Sequence, residues 1–145
     1  MKRVWPLSDV ASDEISVYDG PEVFLEQFHG RSRADQIVFA GYWLQAQILN
    51  GGLGQFFWND TGVLAPEAVE ACRALGLPKL AARIQEAMNW FGHPYPRERE
   101  PRETALQQSD GDPFSELEDE VVGLIYEENS GLEQAAVKYV ELHGS

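Results

Sequence analysis

Few residues in this chain could carry catalytic chemistry, and their spacing argues against it. There are three histidines, His29, His93 and His143, and one cysteine, Cys72. A zinc site needs such ligands at short, repeated spacings, and none of these falls into a His-x-x-x-His or Cys/His pattern. No serine occupies a Gly-x-Ser-x-Gly elbow. Gly51-Gly52-Leu53-Gly54 is glycine-rich, but no Gly-Lys-Ser/Thr follows, so it is not a phosphate loop. Asp110-Gly111-Asp112 lacks the ligand spacing and terminal glutamate of a calcium loop. Cys72 falls among small apolar residues, where nothing would lower its pKa, and is read as a packed thiol. His143 falls on an apolar helix face and is read as a hydrogen-bonded core histidine. The expectation is therefore no catalytic residue, no metal and no cofactor. Asn50, Gln55 and Asn59 could line a polar pocket; the simpler role is to satisfy backbone groups at a corner.

Carboxylate is what the chain has in quantity. It holds 24 acidic and 11 basic residues, a net charge of −13, and residues 103–145 alone hold 11 acids and one base. A field of this sign repels nucleic acid and anionic membrane surfaces and draws basic partners. On a helix over 114–128, Phe114, Leu117, Val121, Leu124 and Ile125 form an apolar arc. Glu116, Glu120 and Glu127 then share the opposite side, with Asp119 beside them and Glu128 following. Glu118 falls inside the apolar arc, an anomaly for a regular helix. Carboxylates three and four residues apart lie about 5–6 Å from one another, and phosphates along one DNA strand rise about 3.4 Å per nucleotide. Acids on a rigid helix can thus present charge on the scale of a duplex.

These side chains need a frame, and the pattern is helical throughout. At 145 residues with 43% hydrophobic content, the chain can bury a core without disulfides. The reading is an all-α protein of six or seven helices, one domain over 1–145, with an N-terminal arm at 1–20 and a helical body at 21–145. In the arm, Val4, Trp5 and Leu7 could dock on the body, and Ser12, Asp13 and Asp19-Gly20 read as turn or loop. Pro21 opens a short helix with Val23, Phe24 and Phe28. Ser32 with Asp35 forms a capping pair for a helix over 33–49 that is apolar nearly all round and so central. It stops at Asn50-Gly51, and Leu53–Trp58 form a further short helix. Pro66 and Pro78 open the next two helices. Arg97–Arg102 read as a mixed-charge linker, residues 103–112 as polar with a loop at Ser109–Pro113, and 132–143 as a last helix. No apolar run is long enough to span a membrane. Met1–Pro6 has no apolar signal region, and the expected location is the cytoplasm.

The stretch between the central helix and Pro66 also carries a resemblance. Asn50-Gly51-Gly52-Leu53-Gly54-Gln55-Phe56-Phe57-Trp58-Asn59, followed by Gly62, resembles the Asn-Gly-Gly-x-x-Gln-Phe-Phe-x-Asn signature of an acidic bacterial DNA-mimic protein family, although Leu53 stands where an aromatic is usual. Ala68, Ala71, Leu75 and Gly76 fit it too, as do Leu117, Asp119, Ile125, Tyr126, Leu132, Tyr139 and His143, so the likeness covers about 33–143. It implies an all-helical, acidic domain, otherwise of unknown function, whose characterised representative is dimeric and occupies the DNA-binding surface of a transcriptional regulator. The expected partner is a basic DNA-binding protein, with no direct nucleic-acid binding and with a homodimer possible. The acids proposed for that face, Glu116, Asp119, Glu120, Glu127 and Glu128, come from helical phase and not from the motif. The motif residues Asn50, Gly51, Gly52, Gln55, Phe56, Phe57, Asn59 and Gly62 are assigned a structural role, with Trp58 joining the phenylalanines as a core anchor. An acidic immunity or inhibitor protein against a basic toxin or nuclease is the alternative, and an enzyme the third reading.

Overall fold

A computed structural model describes residues 14–143. Val4, Trp5, Leu7, Ser12 and Asp13, and the docking and turn assigned to them, lie outside the described residues. Seven α-helices and two short 3-10 turns account for most of the described residues, with no strand among them. They are α1 (Pro21–His29), α2 (Arg33–Trp58), α3 (Ala65–Ala74), α4 (Pro78–Trp90), α5 (Arg99–Gln108), α6 (Ser115–Glu127) and α7 (Leu132–His143). The 3-10 turns are Asp60–Leu64 and Glu128–Ser130.

α2 is the axis, with α3, α5, α6 and α7 packed against it. Its start is set by Ser32, whose Oγ accepts from the Asp35 N–H at 3.1 Å. This satisfies one of the donors that a helix start leaves unpaired. The Asp35 carboxylate turns to Arg31 instead of back to Ser32. Ile37, Phe39, Ala40, Leu44 and Ile48 are buried, and so are Leu53, Phe56 and Phe57 beyond the break. Ahead of α1, Ile15 and Val17 also enter the core, so this end of the expected arm belongs to the body.

The break in α2 falls at Gly52, with φ 88 and ψ 178. The positive φ suits glycine, and a Cβ there would sit 2.8 Å from Glu118 Oε1. The expected division into two helical pieces holds, one residue later than the Asn50-Gly51 boundary. The second piece drops Phe57 into an aromatic cluster with Phe91, Phe114 and Tyr95 at ring separations of 5.1, 5.3 and 6.2 Å. Phe56 and Phe57 are fully buried. Trp58 is only half-buried, a correction to its expected role: the helix ends there and its ring falls at the rim.

Candidate partner-binding face

The chain after Trp58 leaves a row of carbonyls that the turning helix cannot satisfy itself. Three arginines do this instead. Arg102 is fully buried. Its Nε donates to the Phe57 carbonyl, its Nη2 to Asn59, and its Nη1 to the carbonyls of Pro96, Arg97 and Glu98. Arg99 donates to the Trp58 carbonyl and pairs with Asp60 and Glu103. Arg97 donates to the Val63 carbonyl and grips Glu67 through both guanidinium nitrogens. Tyr95 Oη donates to the Gly62 carbonyl at 2.7 Å, and Thr61 to that of Phe56. Gly62 is glycine because a Cβ would lie 2.5 Å from Arg102 Nε. Burial pulls the Arg102 pKa down and pushes that of Tyr95 up.

The segment read as a mixed-charge linker is therefore a clamp, and Arg99 and Arg102 sit on α5, a helix spanning the linker and the polar residues after it. Gln55 and Asn59 also depart from expectation. Their amide nitrogens both donate to Gln47 Oε1, at 3.1 and 2.8 Å, so they tie the two pieces of α2 to each other and not to backbone groups. Asn50 is exposed.

α6 packs through Phe114, Val121 and Ile125, all buried, with Leu117 and Leu124 half-buried against the core. This fixes its rotation. Glu118 points inward, and its Oε1 accepts from the Leu53 N–H at 2.9 Å. The anomalous acid of the apolar arc is thus the cap of the second piece of α2, where the helix dipole favours a carboxylate. Glu128 does the same for α4, its two oxygens accepting from the N–H groups of Lys79 and Leu80 at 2.8 and 2.9 Å. Glu128 was grouped with the outward acids; half-buried and holding a helix start, it is built into the frame.

The other four behave as the helical phase requires. Glu116, Asp119, Glu120 and Glu127 are all exposed. Among the described residues, no Lys, Arg or His nitrogen lies within 4 Å of any of them. Acids elsewhere are often paired: Glu67 with Arg97, Glu70 with Arg73, Glu86 with Arg83, Asp60 with Arg99. Gly123 separates Glu116, Asp119 and Glu120 from Glu127 along the helix, and Tyr126, 64% exposed, precedes Glu127, so the face combines charge with one aromatic ring. Ahead of α6, Asp110 and Asp112 are also exposed, and Asp112 Oδ1 accepts from the Phe114 N–H at 2.9 Å.

The profile of the DMP19-like protein family matches residues 31–143. The chain belongs to the DMP19-like protein family. No curated protein and no solved structure matches the chain. The match to the DMP19-like profile takes in the corner, the arginine clamp and the whole of α6 and α7.

The remaining candidate groups fall into place in this DMP19-like fold. Cys72 is buried and its thiol is pushed up to about 12, first by burial and then by the charge of Glu128, as a packed, unreactive thiol should be. His143 is exposed, its ring tilted by 42° against that of Tyr139 with centroids 4.6 Å apart. It is not a core histidine, because the last turn of α7 runs past the core. His93 lies exposed in the loop after α4. Among the described residues no group of three His, Cys, Asp or Glu is placed to hold a metal ion. No described helix is long and apolar enough to cross a membrane.

Proposed function

We propose that this protein is a DNA mimic: it binds a DNA-binding protein, such as a transcriptional regulator, on its nucleic-acid surface and blocks DNA binding. The observation that carries the reading is the exposed row Glu116, Asp119, Glu120 and Glu127, without a salt bridge among the described residues, on the outer side of a helix fixed at both ends. Eleven residues separate the first and last, a rise of about 16 Å at 1.5 Å per residue. About five phosphates of one DNA strand cover the same distance. A rigid helix presents the row without first ordering flexible side-chain carriers, which lowers the entropy cost of binding. Membership in the DMP19-like family supports the same reading.

The test is competition with DNA. A basic regulator recovered from native lysate on the immobilised protein at low salt should release its operator DNA when this protein is added. The affinity should fall as salt screens the face. The variant Glu116→Lys/Glu120→Lys/Glu127→Lys should remain folded and fail to compete. Undiminished competition by that variant at moderate salt would remove α6 from the mechanism. Recovery of a basic nuclease or toxin, inhibited by the wild type and not by the variant, would replace the regulator with the immunity-type partner.

A further inference from the structure

A second surface has a different chemistry. Between the end of α3 and the outer side of α7 lies a cleft of about 440 Å³, within the size range of small-molecule sites. Its walls include Leu75, the turn residues Asn129 and Ser130, and Lys138, Tyr139 and His143 of α7. No Asp or Glu lines it, although residues 103–145 hold 11 of the 24 acids. Lys138 is the sole Lys or Arg of that stretch. Among the described residues, no carboxylate oxygen lies within 4 Å of its ammonium.

The turn that forms one wall is unusual. Asn129 and Ser130 have φ 49 and 69, the only described non-glycine residues at positive φ. Such backbone is uncommon outside glycine and persists where its surroundings hold it. Here the Asn129 amide is anchored on the Leu75 carbonyl at 2.9 Å, so the two walls are tied together. On α7, the Tyr139 and His143 rings lie 4.6 Å apart with their planes tilted by 42° and offer polarisable faces, with Leu142, 73% exposed, beside them.

We propose that this cleft binds a small flat molecule carrying a single carboxylate. The carboxylate pairs with Lys138, the ring packs on Tyr139 and His143, and any polar substituent meets Ser130. A single charge is favoured over a phosphate dianion because the protein's own field, −13 overall, opposes each added negative charge. The proposal does not depend on the acidic face of α6.

The experiment is a titration of the full-length, isotope-labelled protein with benzoate, and separately with its neutral counterpart benzamide, read by amide NMR. Benzoate is expected to give saturable shifts confined to residues 75–76 and 129–143. Benzamide is expected to bind about fivefold more weakly, the scale of a solvent-accessible ion pair. Lys138→Met, an exposed substitution, is expected to lower benzoate affinity by the same factor and to leave benzamide unchanged. Equal affinities for the two probes, an unaffected Lys138→Met variant, shifts scattered away from the cleft, or no saturation at concentrations on the order of 10 mM would each overturn the proposal.

Discussion

At the corner, three arginines end on carbonyls and carboxylates of the protein itself; along the outer side of α6, four carboxylates face solvent. Arg97, Arg99 and Arg102 close the carbonyls of residues 57–59 and 63. Glu116, Asp119, Glu120 and Glu127 have no basic group within 4 Å among the described residues. The difference separates charge that makes the fold from charge that the fold displays. Buried polar groups contribute when fully satisfied and cost heavily when one partner is removed. Exposed acids without a basic neighbour add little to folding, Glu116 alone gaining from its place in the first turn of α6, and they repel one another, so a row of them points to a reason outside the fold. Glu118 and Glu128 sit on the boundary. They come from the acidic stretch but cap α2 and α4, so the displayed acids are carried by a helix pinned through two acids of the same region.

The sharpest way to break the comparison is at Arg102. Arg102→Met removes the guanidinium from five carbonyls, of which that of Asn59 keeps the Gly62 N–H, and takes a buried hub of hydrogen bonds out of the corner. A loss of about 3–5 kcal/mol is expected, read as a lower urea midpoint. Arg102→Lys keeps the charge but has no planar fork to span Phe57, Asn59 and the Pro96–Glu98 carbonyls; it should recover less than half of that loss. Full recovery by lysine would mean that charge alone, and not the fork, holds the corner.

Gly52 comes next. Gly52→Ala puts a Cβ against the Glu118 carboxylate at a φ that side chains rarely adopt, and a cost of about 1–3 kcal/mol is expected. Adding Glu118→Ala removes the clash but also the cap. The double variant should therefore stay well below wild type while losing less than the sum of the two single changes. Strict additivity in thermal or urea unfolding would show that Glu118 and Gly52 are not coupled.

How much of this was legible in the sequence follows from the kind of force involved. Ser32 before an apolar run, and prolines at positions 21, 66 and 78, marked helix starts because capping and proline geometry are local. The same periodicity placed Glu116, Asp119, Glu120 and Glu127 outward. α5 was not legible: its buried residue is Arg102, and an apolar pattern cannot register a helix held by a charged side chain on distant carbonyls. Glu118 was visible as an anomaly, but its partner lies 65 residues away. Glu128 was misjudged because α6 ends at Glu127, so helical phase no longer says where the next side chain points. The exposure of His143 was hidden for a related reason, since phase does not reveal how far the core extends along α7.

Cys72 tests the frame by another route. Its thiol is raised to about 12 by burial, against an ordinary value near 9 in the unfolded chain. Above pH 9 the unfolded state releases this proton first, so the unfolded state is favoured and stability falls as pH rises from 9 toward 12. Cys72→Ala should lose this part of the decline, and the difference between the two pH profiles measures it. At pH 8 a thiol reagent should label wild-type protein only as fast as the protein opens, and Arg102→Met should speed that labelling.

The smallest effect on stability is expected where the effect on function is largest. Reversing Glu116, Glu120 and Glu127 to lysine touches no hydrogen bond of the frame, and exposed substitutions of this kind usually change stability by less than about 0.5 kcal/mol each. The sign is informative. Net charge far from zero strains the folded state through self-repulsion, so the triple variant should be slightly more stable than wild type at low salt. That gain should vanish at about 1 M salt, where the Debye length is near 3 Å. If unfolding curves show the gain, the row of acids is kept at the expense of stability, as expected for residues retained for binding. If the variant is instead destabilised by more than about 1 kcal/mol at any salt, these acids belong with Glu118 and Glu128. The distinction between charge that builds the fold and charge that it displays would then fail at the site where it was drawn.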